Sequence, residues 1–286
     1  MINENSKLKF SKMHGLGNDF IVIDMIRQNV SITQTIVKNL SNRYTGIGFD
    51  QLLLVDYSKN ANADFHYRIF NSNGIEVTQC GNGARCLALF ILLNNLSKKT
   101  VFSVHTNINS ILILKILDNK NVCVNMGIPS FEPNDIPYLI QYTPKPYTIK
   151  IFDYVLNFDV VSIGNPHCII YVNNLDAYPV QKIGSMLSIH KSFPKEINVS
   201  FVEILSLNNI SIRVYERGVG ETLSCGSAAC AAVAIGINKG LLRDKVKVRF
   251  LKGCLDIMWK GGKNGLYMIG SATHVYDGYV NLCNFL

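Results

Sequence analysis

Two cysteines stand where a thiol can do chemistry. In QCGNGARC (79–86), Cys80 runs straight into Gly81, Asn82 and Gly83 and then into the apolar stretch CLALFILL. In LSCGSAACAAVAIGINKG (223–240), Cys225 stands in the same way before Gly226, Ser227 and a second apolar stretch. A thiol titrates ordinarily near ~8.5, and at a helix N-terminus the unpaired amides and the macrodipole favour its thiolate. Gly81, Gly83 and Gly226 leave the backbone bare, so that N–H groups can approach an anion such as a carboxylate. Two such helix starts converging on one carboxylate would put a base and an acid beside the adjacent carbon. One cysteine then removes the α-hydrogen as thiolate while the other protonates the opposite face, inverting the centre. With no cofactor as electron sink, the carbanion must be stabilised by preorganised amides and dipoles.

The elements that position these cysteines repeat. Strand-like runs such as FIVIDM, QLLLVDY and FHYRIF in the first half are matched by CIIYVNN, NVSFVEIL and ISIRVY in the second. Amphipathic helices are expected at about 32–43 and 177–189, and all-round apolar helices follow Cys80 and Cys225. A helix apolar on every side has to be enclosed on every side. From Asn18 to Gln51 is 33 residues, as is the interval from Asn165 to Asn198; each cysteine lies 62 or 60 residues beyond its own asparagine. These matched intervals predict an α+β protein of two homologous, pseudo-symmetric domains, each a strand-rich barrel or roll around a central buried helix. Residues 1–126 with 271–286 form the expected N-terminal domain, and 127–270 the C-terminal one. A ligand between two such domains would meet one polar loop from each.

Composition narrows the class. The chain of 286 residues is 48% hydrophobic and 17% charged, which suits a folded globular protein. Its formal charge of +8 is scattered through strand-like segments such as KVKVRFL, so solvated sheet faces are expected and a nucleic-acid partner is not. The start carries no signal-peptide pattern and no run is long enough to span a membrane, which gives a cytoplasmic expectation. The eight cysteines are expected as thiols, most of them in cores. Intervals of six and five within the pairs Cys80/Cys86 and Cys225/Cys230 suit zinc poorly, so no metal is expected. GLGND (15–19) is no dinucleotide loop, because a strand follows it where a helix is needed.

Together KMHGLGNDF (12–20), GIGFDQ (46–51), FHYRIFN (65–71), QCGNGARC, IGNPH (163–167), RVYERGVGET (213–222), CGSAAC (225–230) and HVYDG (274–278) resemble diaminopimelate epimerase over almost the entire chain. The resemblance implies a cofactor-independent epimerase that interconverts LL- and meso-2,6-diaminopimelate in lysine biosynthesis. It implies Cys80 and Cys225 as the acid/base pair, and Gly81, Asn82, Gly226 and Ser227 at the reacting carboxylate. Asn18, Gln51, Asn71, Asn165, Asn198, Glu216 and Arg217 match the remaining substrate contacts. Carboxamides donate or accept, Glu216 suits an ammonium, and Arg217 suits a carboxylate. His167 is given a supporting part and Tyr276 a subunit contact in the homodimer the family forms; His14 has no assigned role. The sequence departs from the family's pattern at Asn73, where Asp is usual, and at Ala228, where glycine is usual and a methyl could come near the ligand. A proline-racemase-like isomerase shares the single motifs, and a thiol redox protein using Cys80 and Cys225 is the reading from another class, although redox pairs more often come as CxxC.

Overall fold

The computed structural model describes residues 7–77, 80–106, 111–118, 120–132, 135–138 and 147–286. The chain divides into two compact units: one runs to Val124 and resumes at Gly270–Leu286, and the other is Asn125–Ile269. Elements come in the same order in both. The first half gives β1 (Lys7–Gly15), β2 (Asn18–Asp24), α1 (Gln34–Ser41), β3 (Gln51–Tyr57), β4 (Phe65–Asn71), β5 (Glu76–Val77), α2 (Gly81–Leu93), β6 (Val101–His105), β7 (Ile111–Ile116) and β8 (Asn121–Asn125). The second begins with β9 (Tyr147–Ile151), then β10 (Tyr154–Ser162), β11 (Pro166–Tyr171), α3 (Val180–Ser188), β12 (Asn198–Ser206), β13 (Asn209–Glu216), β14 (Gly220–Thr222), α4 (Gly226–Asn238), β15 (Lys245–Phe250), β16 (Gly253–Met258) and β17 (Tyr267–Ser271). The final strand, β18 (Thr273–Asn281), pairs antiparallel with β1, as β9 does with β10.

The pairings repeat too. β2 and β3 run parallel across α1, and β11 and β12 run parallel across α3. β4 pairs antiparallel with β3 and β5 and parallel with β6, and β13 does the same with β12, β14 and β15. Antiparallel hairpins complete each ribbon, β6–β7–β8 and β15–β16–β17. Apolar residues alternate inward along β7 and β15, as a strand with one core face requires.

Each ribbon curls around its own helix. α2 packs on β1, β2, β3, β7 and β18, strands from both ends of the first ribbon, and α4 packs on β10, β11, β12 and β16. That enclosure is why Gly81 through Ile91 are all buried, and why Gly226 and Ala228 through Gly236 are too. Five alanines in α4 favour helix and keep its girth small. The amphipathic helices instead cover the outside: α1 buries only Ile36, Val37 and Leu40, and the Thr33 hydroxyl caps its N-terminus by accepting from Ile36 N–H. Beneath it lies a cluster that includes Phe10, Ile21, Phe49 and Leu52; under α3 the corresponding cluster includes Phe158, Phe193, Val199 and Phe201.

Candidate active site

In the first unit, Cys80 is the N-cap of α2, with extended φ and ψ of −145° and 110°. Its sulfur accepts from Gly83 N–H at 3.4 Å, filling the place a Ser or Asp side chain takes at most helix starts. Beside it the β1–β2 hairpin turns on Leu16 and Gly17, both at positive φ (54° and 89°), with Gly15 and Asn18 paired across it. Such a two-residue turn normally excludes leucine at its first position, and strain of this kind gathers at functional sites. The turn delivers Asn18: its Oδ1 lies 3.9 Å from Cys80 Sγ and accepts from Asn82 Nδ2 at 3.3 Å, while its Nδ2 donates to Asp50 at 3.0 Å. Gln51 Nε2 donates to Asn71 Oδ1 at 2.8 Å across β3 and β4, and Gln51 Oε1 is buried with no hydrogen-bond partner among the described residues.

A charge relay backs this cluster. Asp19 is held by Lys12 and bidentately by Arg43, which also reaches Asp50. Burial would raise the Asp19 carboxyl, but the bonds and charges of Arg43 and Lys12 outweigh it and hold it far below the usual range.

In the second unit, Cys225 is the N-cap of α4 at φ −137° and ψ 116°, almost the backbone of Cys80. Ser227 Oγ lies 3.5 Å from its sulfur and accepts from Asn165 Nδ2 at 3.4 Å. Asn165 Oδ1 meets His167 Nε2 at 3.0 Å. His167 is fully buried; burial, then the Arg217 charge, lowers its pKa to about 3, so the ring is neutral. Asn198 donates to Pro166 O and accepts from Arg217 N–H, and the Arg217 guanidinium donates to Lys195 O. Glu216 accepts from Thr222 Oγ1 at 2.5 Å and lies against the Cys225 thiol. Burial first, then the Glu216 charge, push that thiol well above its ordinary value, against the opposing pull of Ser227 and the Ala228 N–H.

The profile of the diaminopimelate epimerase family matches residues 10–132 and 160–275. The chain belongs to that family. It is 60% identical over 283 residues to the diaminopimelate epimerase of Buchnera aphidicola subsp. Baizongia pistaciae (strain Bp), covering 99% of both chains. Against that of Blochmanniella pennsylvanica (strain BPEN) it is 49% identical over 275 residues, 96% of this chain and all of the relative. Among solved structures, a hydroxyproline epimerase from Agrobacterium vitis superposes with a TM-score of 0.72 at 13% identity, covering 96% of this chain and 93% of that one. A PhzF-family phenazine biosynthesis protein from Bacillus anthracis gives 0.69 at 17%, covering 96% and 99%. At such identities these two share the fold with the diaminopimelate epimerase family and nothing finer.

The family motifs therefore fall into two clusters. Asn18, Gln51, Asn71, Cys80, Gly81 and Asn82 gather in the first unit; Asn165, His167, Asn198, Glu216, Arg217, Cys225, Gly226 and Ser227 gather in the second. Asn73 keeps its turn, its Oδ1 accepting from Ile75 N–H. The Ala228 methyl is wholly buried. At the matching Gly83 a methyl would meet Leu53 and Phe20 at 3.2 and 3.3 Å, so this helix position faces the core. Tyr276 lies on β18, 45% exposed, with Phe10 edge-on to its ring at 6.1 Å. His14 Nδ1 is buried without a hydrogen-bond partner among the described residues.

Three features escaped the sequence reading. Arg85 is fully buried in the first turns of α2. The Lys12, Asp19, Arg43 and Asp50 relay ties Asn18 in place. Arg68 forks onto Glu76, and Arg213 onto Glu221, with two bonds each of 2.7–3.1 Å. Each fork clamps the short strand that leads into a cysteine. Internal comparison carried that last signal: arginine stands three residues before Asn71 and Glu216 alike, and glutamate four before each cysteine.

Proposed function

We propose that Cys80 and Cys225 are the acid and base of a two-base epimerisation acting on opposite faces of one α-carbon, converting LL-2,6-diaminopimelate to the meso isomer. The observation that carries this reading is the repetition: two topologically equivalent units each present a cysteine as the N-cap of an enclosed helix opening on glycine. First-turn N–H groups beside each sulfur suit the reacting carboxylate, and they favour the enediolate-like charge that develops as the α-hydrogen leaves. Asn18 and Asn82 on one side, and Ser227 and Asn165 on the other, supply further polar contacts. Gln51 Oε1, a buried acceptor with no donor among the described residues, suits an ammonium group, and Arg217 suits the distal carboxylate. The two thiols stand in different fields: Cys80 beside carboxamides, Cys225 buried against a carboxylate. Cys225 therefore rests as the thiol, ready to donate.

The product's place as lysine precursor follows from the same reading. We also propose a homodimer formed along β18, where Val275, Tyr276 and Tyr279 are exposed. Among the described residues no helix is long and apolar enough to cross a membrane.

The test is incubation with LL-diaminopimelate in deuterated water. The wild-type chain should wash deuterium into the α-position and yield meso product, whereas Cys80→Ala and Cys225→Ala should each lose epimerisation. Full turnover by either variant sinks the two-thiol reading. For the dimer, light scattering should give twice the chain mass, falling toward the monomer in Tyr276→Ala.

A further inference from the structure

Arg85 is the largest fully buried side chain among the described residues, and it sits in a helix otherwise apolar from Cys86 onward. Burying a guanidinium is costly unless its donors are met. Here Nη2 donates to Asn82 Oδ1 at 3.0 Å, Nε to Ser271 O at 3.1 Å, and Nη1 to Gly81 O at 3.4 Å. The fork thus grips the first helical residue after Cys80, the side chain of the second, and the strand end beside them. Gly15 admits it: a Cβ there would lie 3.1 Å from Nη2.

Donor logic then runs along the cluster. Arginine only donates, so Asn82 must turn its oxygen to Arg85 and its amide nitrogen to Asn18. Asn18 must answer with its oxygen, leaving its nitrogen for the Asp50 carboxylate. A donor-only group at one end and an acceptor-only group at the other fix two carboxamides that could otherwise each adopt either flip. The oxygen of Asn18 is thereby held toward Cys80 Sγ at 3.9 Å.

We propose that Arg85 is a positioning residue for the Cys80 site: it sets the orientation of the Asn82 and Asn18 carboxamides and holds the start of α2 under the thiol. The proposal deepens the epimerase reading and rests on it for its kinetic arm. In the second unit the residue at the same distance from its cysteine is Cys230, buried and far shorter than arginine, so the device belongs to one side only.

Arg85→Met and Arg85→Lys separate a donor role from a space-filling one. Methionine fills much of the buried volume but leaves Asn82 Oδ1, Ser271 O and Gly81 O without this donor, so some loss of stability accompanies it. Lysine keeps the charge and some donors but loses the planar fork. We expect Arg85→Met to fold with a melting temperature lowered by several degrees and to lose about 100-fold in kcat/KM for LL-diaminopimelate at a temperature where it is fully folded. Arg85→Lys should recover part of that loss. Alkylation by iodoacetamide at pH 8, followed peptide by peptide, should slow about three- to tenfold at Cys80 relative to Cys225 in Arg85→Met, since the first-turn N–H that meets the Cys80 sulfur is no longer held under it. A methionine variant with both rates within about twofold of wild type, or one more active than the lysine variant, overturns the proposal. If Arg85→Met does not fold, Arg85→Lys decides: a several-fold loss at unchanged melting temperature supports the role, and wild-type kinetics refute it. Slowed Cys80 alkylation in a protein whose wild type does not turn over diaminopimelate would sink the epimerase reading and leave the positioning role standing.

Discussion

Glu216→Gln isolates the field at Cys225. Glutamine keeps the side-chain length and an oxygen for the Thr222 hydroxyl, so the change removes the charge and little else. Two unit charges about 4 Å apart at an effective dielectric of about 20 interact by roughly 4 kcal/mol, or about 3 pH units. Glu216 is only half-buried, so solvent screening holds its pull on the thiol well short of that limit. The sign is fixed: a neighbouring carboxylate opposes a thiolate, so its removal lowers the Cys225 titration. Burial remains as the larger cause, and the thiol stays above its ordinary value even in the variant. The assay is the rate of Cys225 alkylation against pH, read by peptide mass spectrometry, with Cys80 in the same molecule as the reference. The midpoint for Cys225 should fall toward the ordinary thiol value, with that for Cys80 unmoved. An unchanged or raised Cys225 midpoint would refute the electrostatic argument.

Other perturbations have equally definite outcomes. Glu76→Gln and Glu221→Gln each break a bidentate clamp upstream of a cysteine; kcat/KM should fall about tenfold in each, with a melting loss of only a few degrees. Gly184→Ala would put a methyl 2.5 Å from Tyr215 Cβ where α3 crosses β13, and should cost about 1–3 kcal/mol in a urea titration despite the better helix propensity of alanine. His167 is neutral when folded and titrates at about 3, but binds a proton below about 6.5 when unfolded. Its contribution is therefore complete above about pH 6.5 and lost as pH falls toward 3; His167→Gln should flatten that part of the stability curve by a few kcal/mol. On the proposed two-thiol reading, mild oxidation should join Cys80 to Cys225 and abolish turnover, with reductant restoring both; activity that survives a verified cross-link counts against the proposed common stereocentre.

The matched interval of 33 residues was readable because it is a register. Phe20, two beyond Asn18, pairs with Gln51 across β2 and β3; His167, two beyond Asn165, pairs with Asn198 across β11 and β12. Parallel neighbours joined by one helix can keep that register only if the connecting length is kept. The helices behind the cysteines were equally plain, since all-round apolarity has one solution in a folded chain. What escaped was long-range and polar. Arg85 lies in the glycine-rich start of an apolar helix, and its partners at Ser271 and Asn82 are set by tertiary approach. Glu216 was read as a contact for an ammonium group, yet its placement against Cys225 depends on how β13 and β14 fold back together, which no local pattern states.

The position of β18 has a consequence for synthesis. This strand covers β1 as β9 covers β10, but on the ribosome β9 emerges just ahead of its neighbour while β18 trails it by the whole of the second unit. The second unit can close as soon as it is made. Until β18 arrives, the edge of β1 stays open to whatever other nascent strand it meets.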